Sequence, residues 1–415
     1  MSSPSLDHGS LGPAHPEDSW GDHTRRGVEV LGVSGRSLGS CPPLVRAMAL
    51  VKIATARANA GADVLAPEVA DALVAAATDL ATGAVHPSEL PADLLAGGGS
   101  IALHMNVNEV LASRADRWLA AAGSKAGPVD PKRHAAACQS TADVCHTAFR
   151  LAVIVEARSL LASVDRLVES MRSVAAELAD IPTLARTCLQ DATTAPLSTV
   201  LSGSADALSR RSGALRTTLG PLHDVVLGTT VIGLGTGAPL AYRTAVVAHL
   251  ADVAGMALRP HRTPPSALQH GDDLASASAS LAQLSQVLLK LGADLRLLAS
   301  GPRGGFGELE LPPVIDGSSF FSGKQNPVVP ESLIQACLQV QGLDHTVQLA
   351  AGRAELYLQV HDGLVALNLL DGLALLTAAV DRTDRFAVRG LTADEDRCRE
   401  LSLLARSSEP GPTAP

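Results

Sequence analysis

Aromatic side chains are scarce: five Phe, two Trp and two Tyr among 415 residues, 2% of the chain. Strands of a sandwich draw on aromatic and β-branched residues, so this scarcity argues against an all-β fold. Positive charge is also in deficit, with 33 Lys and Arg against 42 Asp and Glu and a net charge of -9. A general nucleic-acid binder needs a basic face, and none is expected here. Six cysteines are present, Cys41, Cys138, Cys145, Cys188, Cys337 and Cys398. No two of them form a C-x-x-C pair, and none stands at zinc-finger spacing with histidine. No metal site, no phosphate-binding P-loop and no cofactor is expected. The cysteines read as reduced thiols of a cytoplasmic protein. The N-terminus lacks the apolar core of a secretory signal. The longest apolar stretch, Gly363 to Val380, is interrupted by Asn368 and Asp371. It reads as a buried core helix, with no membrane partner.

What the chain has is aliphatic helix: 46% of it is hydrophobic, mostly Ala and Leu, which are strong helix formers. Residues 1–26 are rich in Ser, Gly, Pro, Asp and His and read as a disordered tail. Helices follow over 27–137, with a Gly-rich break before Ser100 and a loop over 121–137. Three long seams then repeat at 3,4 spacing. The first is Ala157, Leu160, Val164, Leu167, Met171, Val174 and Leu178, stopped by Pro182. The second runs from Leu274 through Leu281, Leu288 and Leu295 to Leu298. The third, in a long helix after Pro330, is Ala366, Leu369, Leu373, Leu376 and Val380. Such seams imply an all-α helix bundle, and partner copies can bury them as well as the chain itself. The stretch Arg186 to Ala192 reads as a loop, and Gly301 to Asn326 as a longer one.

The most informative stretch lies in that longer loop: Gly317-Ser318-Ser319-Phe320-Phe321-Ser322-Gly323-Lys324-Gln325-Asn326-Pro327. Two glycines frame two hydroxyls, and an ammonium and an amide follow. Those groups can grip a carboxylate and take a proton beside it. The stretch resembles the signature G-S-S-x-M-P-x-K-x-N-P of the aspartase/fumarase superfamily, with Phe321 and Ser322 in place of Met and Pro. Met105-Asn106-Val107-Asn108-Glu109-Val110, Gln139-Ser140-Thr141, Asp294 to Arg303 and Asn326-Pro327-Val328-Val329-Pro330-Glu331 resemble aspartate ammonia-lyase in particular, and the segments fall in the family's order and spacing.

The resemblance implies an all-α aspartase/fumarase-type fold. Its parts would be a small N-terminal domain (27–137), a long central helix bundle (138–388) and a truncated C-terminal domain with a tail (389–415). It implies a homotetramer whose active sites draw on three subunits. It implies anti elimination from a succinate-like dicarboxylate to give fumarate or an analogue. Ser318 aligns with the catalytic base. Ser319, Ser140 and Thr141 align with groups that hold the carboxylate where charge builds. Lys324, Asn326 and Thr187 align with anchors of the other carboxylate.

The pocket departs from the family elsewhere. Cys188 stands where the family has His, and Ala142 where it has Asn. Ile101 begins an apolar run that replaces Thr-Ser-Thr, and His104 follows where Asn is usual. In aspartases the lost groups surround the substrate's amino group. A substrate whose leaving group is not free ammonium is therefore expected. The alternative is a non-catalytic homologue acting as a ligand-binding or regulatory subunit. Single residues also keep plainer readings. Ser140 and Thr141 suit helix N-capping. Cys188 suits a small hydrophobe in vacated space. His104 suits either a core position or a substitute for the lost imidazole.

Overall fold

The computed structural model describes residues 19–405. The expected tail over 1–18 and the end of the chain beyond residue 405 lie outside the described residues. In chain order the elements are α1 (Asp22–Leu31), α2 (Pro42–Gly61), α3 (Pro67–Thr82), α4 (Ile101–Ala121), α5 (Thr141–Glu177), β1 (Pro182–Thr187), β2 (Gln190–Pro196), α6 (Ser198–Leu219), β3 (Asp224–Val225), α7 (Leu240–Ala254), β4 (Arg259–Pro260), α8 (Pro264–Gln269), α9 (Asp272–Leu298), β5 (Leu309–Glu310), α10 (Val328–Ala351), α11 (Asp362–Thr383), β6 (Thr392–Ala393) and α12 (Glu395–Ser402). The fold is all-α; its strands are short and pair only in twos.

The chain forms two compact units that interleave along the sequence. The first holds the described residues up to Ala152, with His223–Gly271 and Ala350–Leu367. In it α2 packs on α3 and α7, α3 on α4, and α1 on α4. Gly97, Gly98 and Gly99 all have positive φ just before α4. That left-handed entry is why three glycines stand there. The second unit holds Val153–Leu222, Asp272–Leu349 and the described residues from Asn368. In it α6 packs on α9, and α12 packs on the β1–β2 hairpin.

The seams are buried as their spacing requires. Ala157, Leu160, Val164, Leu167 and Met171 of α5 are all fully buried, as are Ala277, Leu284, Leu288 and Leu291 of α9. Leu369, Leu373, Leu376 and Val380 of α11 are buried too. Each buried Leu contributes about 1.5–3 kcal/mol relative to exposure. The stretch 362–388 is long and apolar enough by composition to cross a membrane. Its seam residues are nonetheless covered by protein.

Three local expectations change. The tail ends earlier than residue 26, because α1 starts at Asp22. The Glu109 carboxylate anchors that start. It accepts N–H from Gly21 (2.9 Å), His23 (3.0 Å) and Thr24 (3.0 Å), and the Thr24 hydroxyl at 2.6 Å. The loop over 186–192 is instead the tip of an antiparallel hairpin, with Thr187 opposite Gln190. The helix expected after Pro330 is two helices, α10 and α11, parted by a turn at 352–361 in which Leu356 has positive φ.

Removing the Glu109 anchor should free α1 without unfolding the rest. Glu109→Ala is expected to cost α1 about 3 kcal/mol, from charge-assisted bonds of about 1.5–3 kcal/mol each. Amide hydrogen exchange of His23 and Thr24 should then accelerate on the order of 100-fold, while α2 and α4 keep their protection. Unchanged exchange at His23 and Thr24 would contradict the anchoring role.

Candidate active site

In the first unit the site grows from the N-terminus of α5. The Ser140 hydroxyl accepts the Ala142 N–H at 3.3 Å, so it caps the helix. The buried Asp143 carboxylate accepts the Ser140 N–H at 2.9 Å, and the N–H groups of Gly228 and Thr230 at 3.0 and 3.1 Å. The expected capping role of Ser140 is thus present. It leaves the hydroxyl proton and the N-terminal dipole of a 37-residue helix available to an anion. Burial pushes the Asp143 carboxyl up to about 6, against the pull of those N–H groups and of Lys52.

Thr141, half-buried, meets His104: its Oγ1 lies 2.9 Å from His104 Nδ1. His104 is buried, and its Nε2 lies 2.8 Å from Lys52 Nζ. Lys52 also donates to Ala135 O (3.1 Å) and to Gln139 Oε1 (2.6 Å). Burial lowers the Lys52 ammonium to about 7, with Cys145 and Asp143 acting the other way. Burial first, and Lys52 second, hold His104 well below the usual imidazole range. His104 is therefore a neutral core histidine with two polar partners. Sequence reasoning missed Lys52, Asp143, Gly228 and Thr230, and named Gln139 only as part of the Gln139-Ser140-Thr141 resemblance, without a role. The available signal for Lys52 was a single cation inside the apolar run Ala47 to Ala56.

Ala142 packs in an apolar cluster with Val226, Ala267, Leu268 and Leu358. An Asn in its place would need partners that this cluster lacks. Ile101 stands exposed on the first turn of α4, three residues from His104.

The second unit carries the remaining candidates. Thr187 ends β1, and Cys188 and Leu189 form the hairpin turn, both at positive φ (54° and 58°). Turns of this kind favour Asn-Gly, and bulky residues there carry about 1–3 kcal/mol of strain each. Cys188 is exposed, so within this chain it does not fill buried space as a small hydrophobe. Strand β1 is pinned along its length on Glu308. Arg186 Nη1 donates to Glu308 Oε2 at 2.7 Å, the Thr183 hydroxyl donates to Glu308 Oε1, and the Arg186 guanidinium lies 4.1 Å over the Phe306 ring.

The serine loop closes on itself. Gly317 N–H donates to Lys324 O at 2.9 Å, and Asn326 Nδ2 donates to Gly317 O at 2.6 Å. Inside that ring the N–H groups of Phe320 and Phe321 both donate to Ser318 Oγ, at 3.0 and 2.9 Å. Lys324, Ser319 and both Phe side chains are exposed. The two rings meet edge to face at 4.8 Å. The structure thus brings Ser140, Thr141, His104 and Ala142 together in one unit, and Ser318, Ser319, Lys324 and Asn326 on one loop of the other. Among the described residues, no three His, Cys, Asp or Glu side chains converge as metal ligands.

Residues 17–342 match the family model described as Lyase. Aspartate ammonia-lyase of Corynebacterium glutamicum is 34% identical over 380 residues, 92% of this chain and 72% of that relative. Fumarate hydratase class II of Chromobacterium violaceum is 35% identical over 392 residues, 94% of this chain and 83% of that relative. The crystal structure of a fumarate lyase:delta crystallin from Brucella melitensis superposes with a TM-score of 0.87 at 34% identity, covering 92% of this chain and 83% of that one. An all-α bundle that matches these relatives along its length has the fold of the lyase superfamily. The chain belongs to the aspartase/fumarase superfamily.

The loop's closure depends on Gly317, where a Cβ would stand 2.2 Å from Lys324 O and 2.8 Å from Asn326 N. Both are backbone atoms, so the loop would have to open. Gly317→Ala is expected to raise chymotryptic cleavage after Phe320 and Phe321 roughly 10-fold or more, from overpacking of about 1–3 kcal/mol. Cleavage at the wild-type rate would show that the ring of contacts does not order the loop.

Proposed function

We propose that the chain is a carbon–nitrogen lyase resembling aspartate ammonia-lyase. It would catalyse anti elimination from a succinate-like dicarboxylate to give fumarate or an analogue, with a leaving group other than free ammonium. The observation that carries this reading is the pair of N–H groups on Ser318 Oγ. A serine is a poor base unless its alkoxide is stabilised. Two fixed N–H donors at 2.9–3.0 Å strengthen as the oxygen becomes anionic.

Ser318 takes the proton beside one carboxylate. That carboxylate becomes an aci-carboxylate dianion, and Ser319, Ser140, Thr141 and the N-terminus of α5 meet the added charge. Lys324, Asn326 and Thr187 anchor the other carboxylate. The new double bond forms as the leaving group departs from the adjacent carbon. Ala142, held in an apolar cluster, and Ile101 and Cys188 suit a substituted amine, a nitro group or another bulky group. A bare ammonium facing them would lose hydrogen bonds worth about 1–3 kcal/mol each. A homotetramer, with each site drawing on more than one copy, is part of this proposal. So is a cytoplasmic location.

A second reading, a non-catalytic dicarboxylate-binding or regulatory subunit, draws on Asn326. Its amide is engaged on Gly317 O, and a purely structural clasp would look the same. Ser318→Ala separates the two. Elimination, followed by ultraviolet absorbance of the unsaturated product over a panel of N- and O-substituted succinates, should fall by roughly 10³-fold or more in kcat. Dicarboxylate binding by calorimetry should change little. Turnover of aspartate by the wild type at ordinary aspartase rates would refute the altered leaving-group pocket. Wild-type inactivity across the panel, with binding intact, would favour the second reading.

A further inference from the structure

Lys52 and His104 lie one step behind Thr141, and their geometry fixes where protons can sit. An ammonium offers three N–H groups and no lone pair. Lys52 Nζ has three neighbours, each able to accept: His104 Nε2, Ala135 O and Gln139 Oε1. Gln139 cannot reverse its amide cheaply, because its Nε2 already donates to Ala135 O and Ala137 O at 3.2 Å each. With Lys52 charged, His104 Nε2 must be the bare nitrogen. The ring proton then sits on Nδ1 and points at Thr141 Oγ1. That oxygen accepts, and the hydroxyl proton of Thr141 turns outward.

With Lys52 neutral, the pattern inverts. Its two N–H groups serve Ala135 O and Gln139 Oε1, and its lone pair accepts from Nε2–H. Nδ1 is then bare and accepts the Thr141 hydroxyl proton, which turns inward. One proton has left Lys52 for solvent, and the ring proton has exchanged from Nδ1 to Nε2. We propose that Lys52 and His104 form a polarity switch that decides whether the Thr141 hydroxyl donates to a bound carboxylate. Both are positioning residues, and the proposal rests on the dicarboxylate reading of the site.

The surroundings put this switch in a usable range. Lys52 lies on α2 and faces His104 on α4, Asp143 and Cys145 on α5, and the stretch of His134 and Gln139. Burial keeps the Cys145 thiol neutral, pushed up to about 12. The void beside Lys52 is about 10 Å³, barely one water's worth, so solvent does little to screen the ammonium. The charged form of Lys52 therefore gives way near neutral pH. The donor state of Thr141 belongs below that point and is lost above it.

The test is ¹⁵N NMR of the histidine side chains in the full, ligand-free protein, with the His104 signals identified by their absence in His104→Gln. The ring proton should sit on Nδ1 below about pH 7 and on Nε2 above it, a midpoint set by Lys52. Lys52→Met should show one tautomer at every pH. If that variant does not fold, Lys52→Arg, which stays charged, should hold Nδ1–H throughout. Succinate binding by calorimetry should weaken roughly 10-fold across the same midpoint, the worth of one hydrogen bond to a charged group. A single His104 tautomer in the wild type across this range overturns the switch. A tautomer change with no succinate binding at any pH leaves the polarity intact, but overturns the dicarboxylate reading and the role given to Thr141.

Discussion

The long seams of α5, α9 and α11 constrain everything else. An apolar stripe repeated at 3,4 spacing must be covered along its length, so those faces carry Leu, Val, Ala and Met. Polar function is pushed to the places where helices begin or chains turn. The N-terminus of α5, the β1–β2 turn and the loop between β5 and α10 are three such places. Each presents backbone N–H groups or hydroxyls without interrupting a packed face.

Within that constraint the two units solve the same problem in different ways. In the first, a buried cation is made tolerable by three acceptors, and its polarity reaches Thr141 through one imidazole. In the second, a short loop folds its own N–H groups onto a serine oxygen. Both arrangements place donors before any charge has to develop, which is the cheapest way to meet a transient anion. The apolar surroundings of Ala142 lie where the family resemblance implies a polar group, and they carry the proposed change of leaving group.

The bundle was legible because 3,4 periodicity is long-range and redundant: losing one Leu from the α9 seam would not hide it. The hairpin at Thr187 was not, because Cys188 and Leu189 adopt a turn whose usual marker is Asn-Gly, and neither residue announces positive φ. The ordered start at Asp22 was hidden for another reason. It depends on Glu109, more than eighty positions away. Ser318, Ser319, Lys324 and Asn326 could be read together because they are contiguous. Lys52 could not, since nothing local in α2 says that the chain returns with His104 and Gln139. His104 was visible as a departure from the family, but its role as a neutral link needed those partners.

On the function proposed above, the protein holds an aci-carboxylate dianion more firmly than a resting carboxylate. The most direct measurement is the affinity of a nitronate analogue of succinate, whose planar dianionic group has the shape and charge of that intermediate, against the affinity of succinate itself. Preorganised donors predict that the nitronate binds at least about 10²-fold more tightly. Equal affinities would contradict the account, because the site would then recognise only a dicarboxylate and not the anion formed from it.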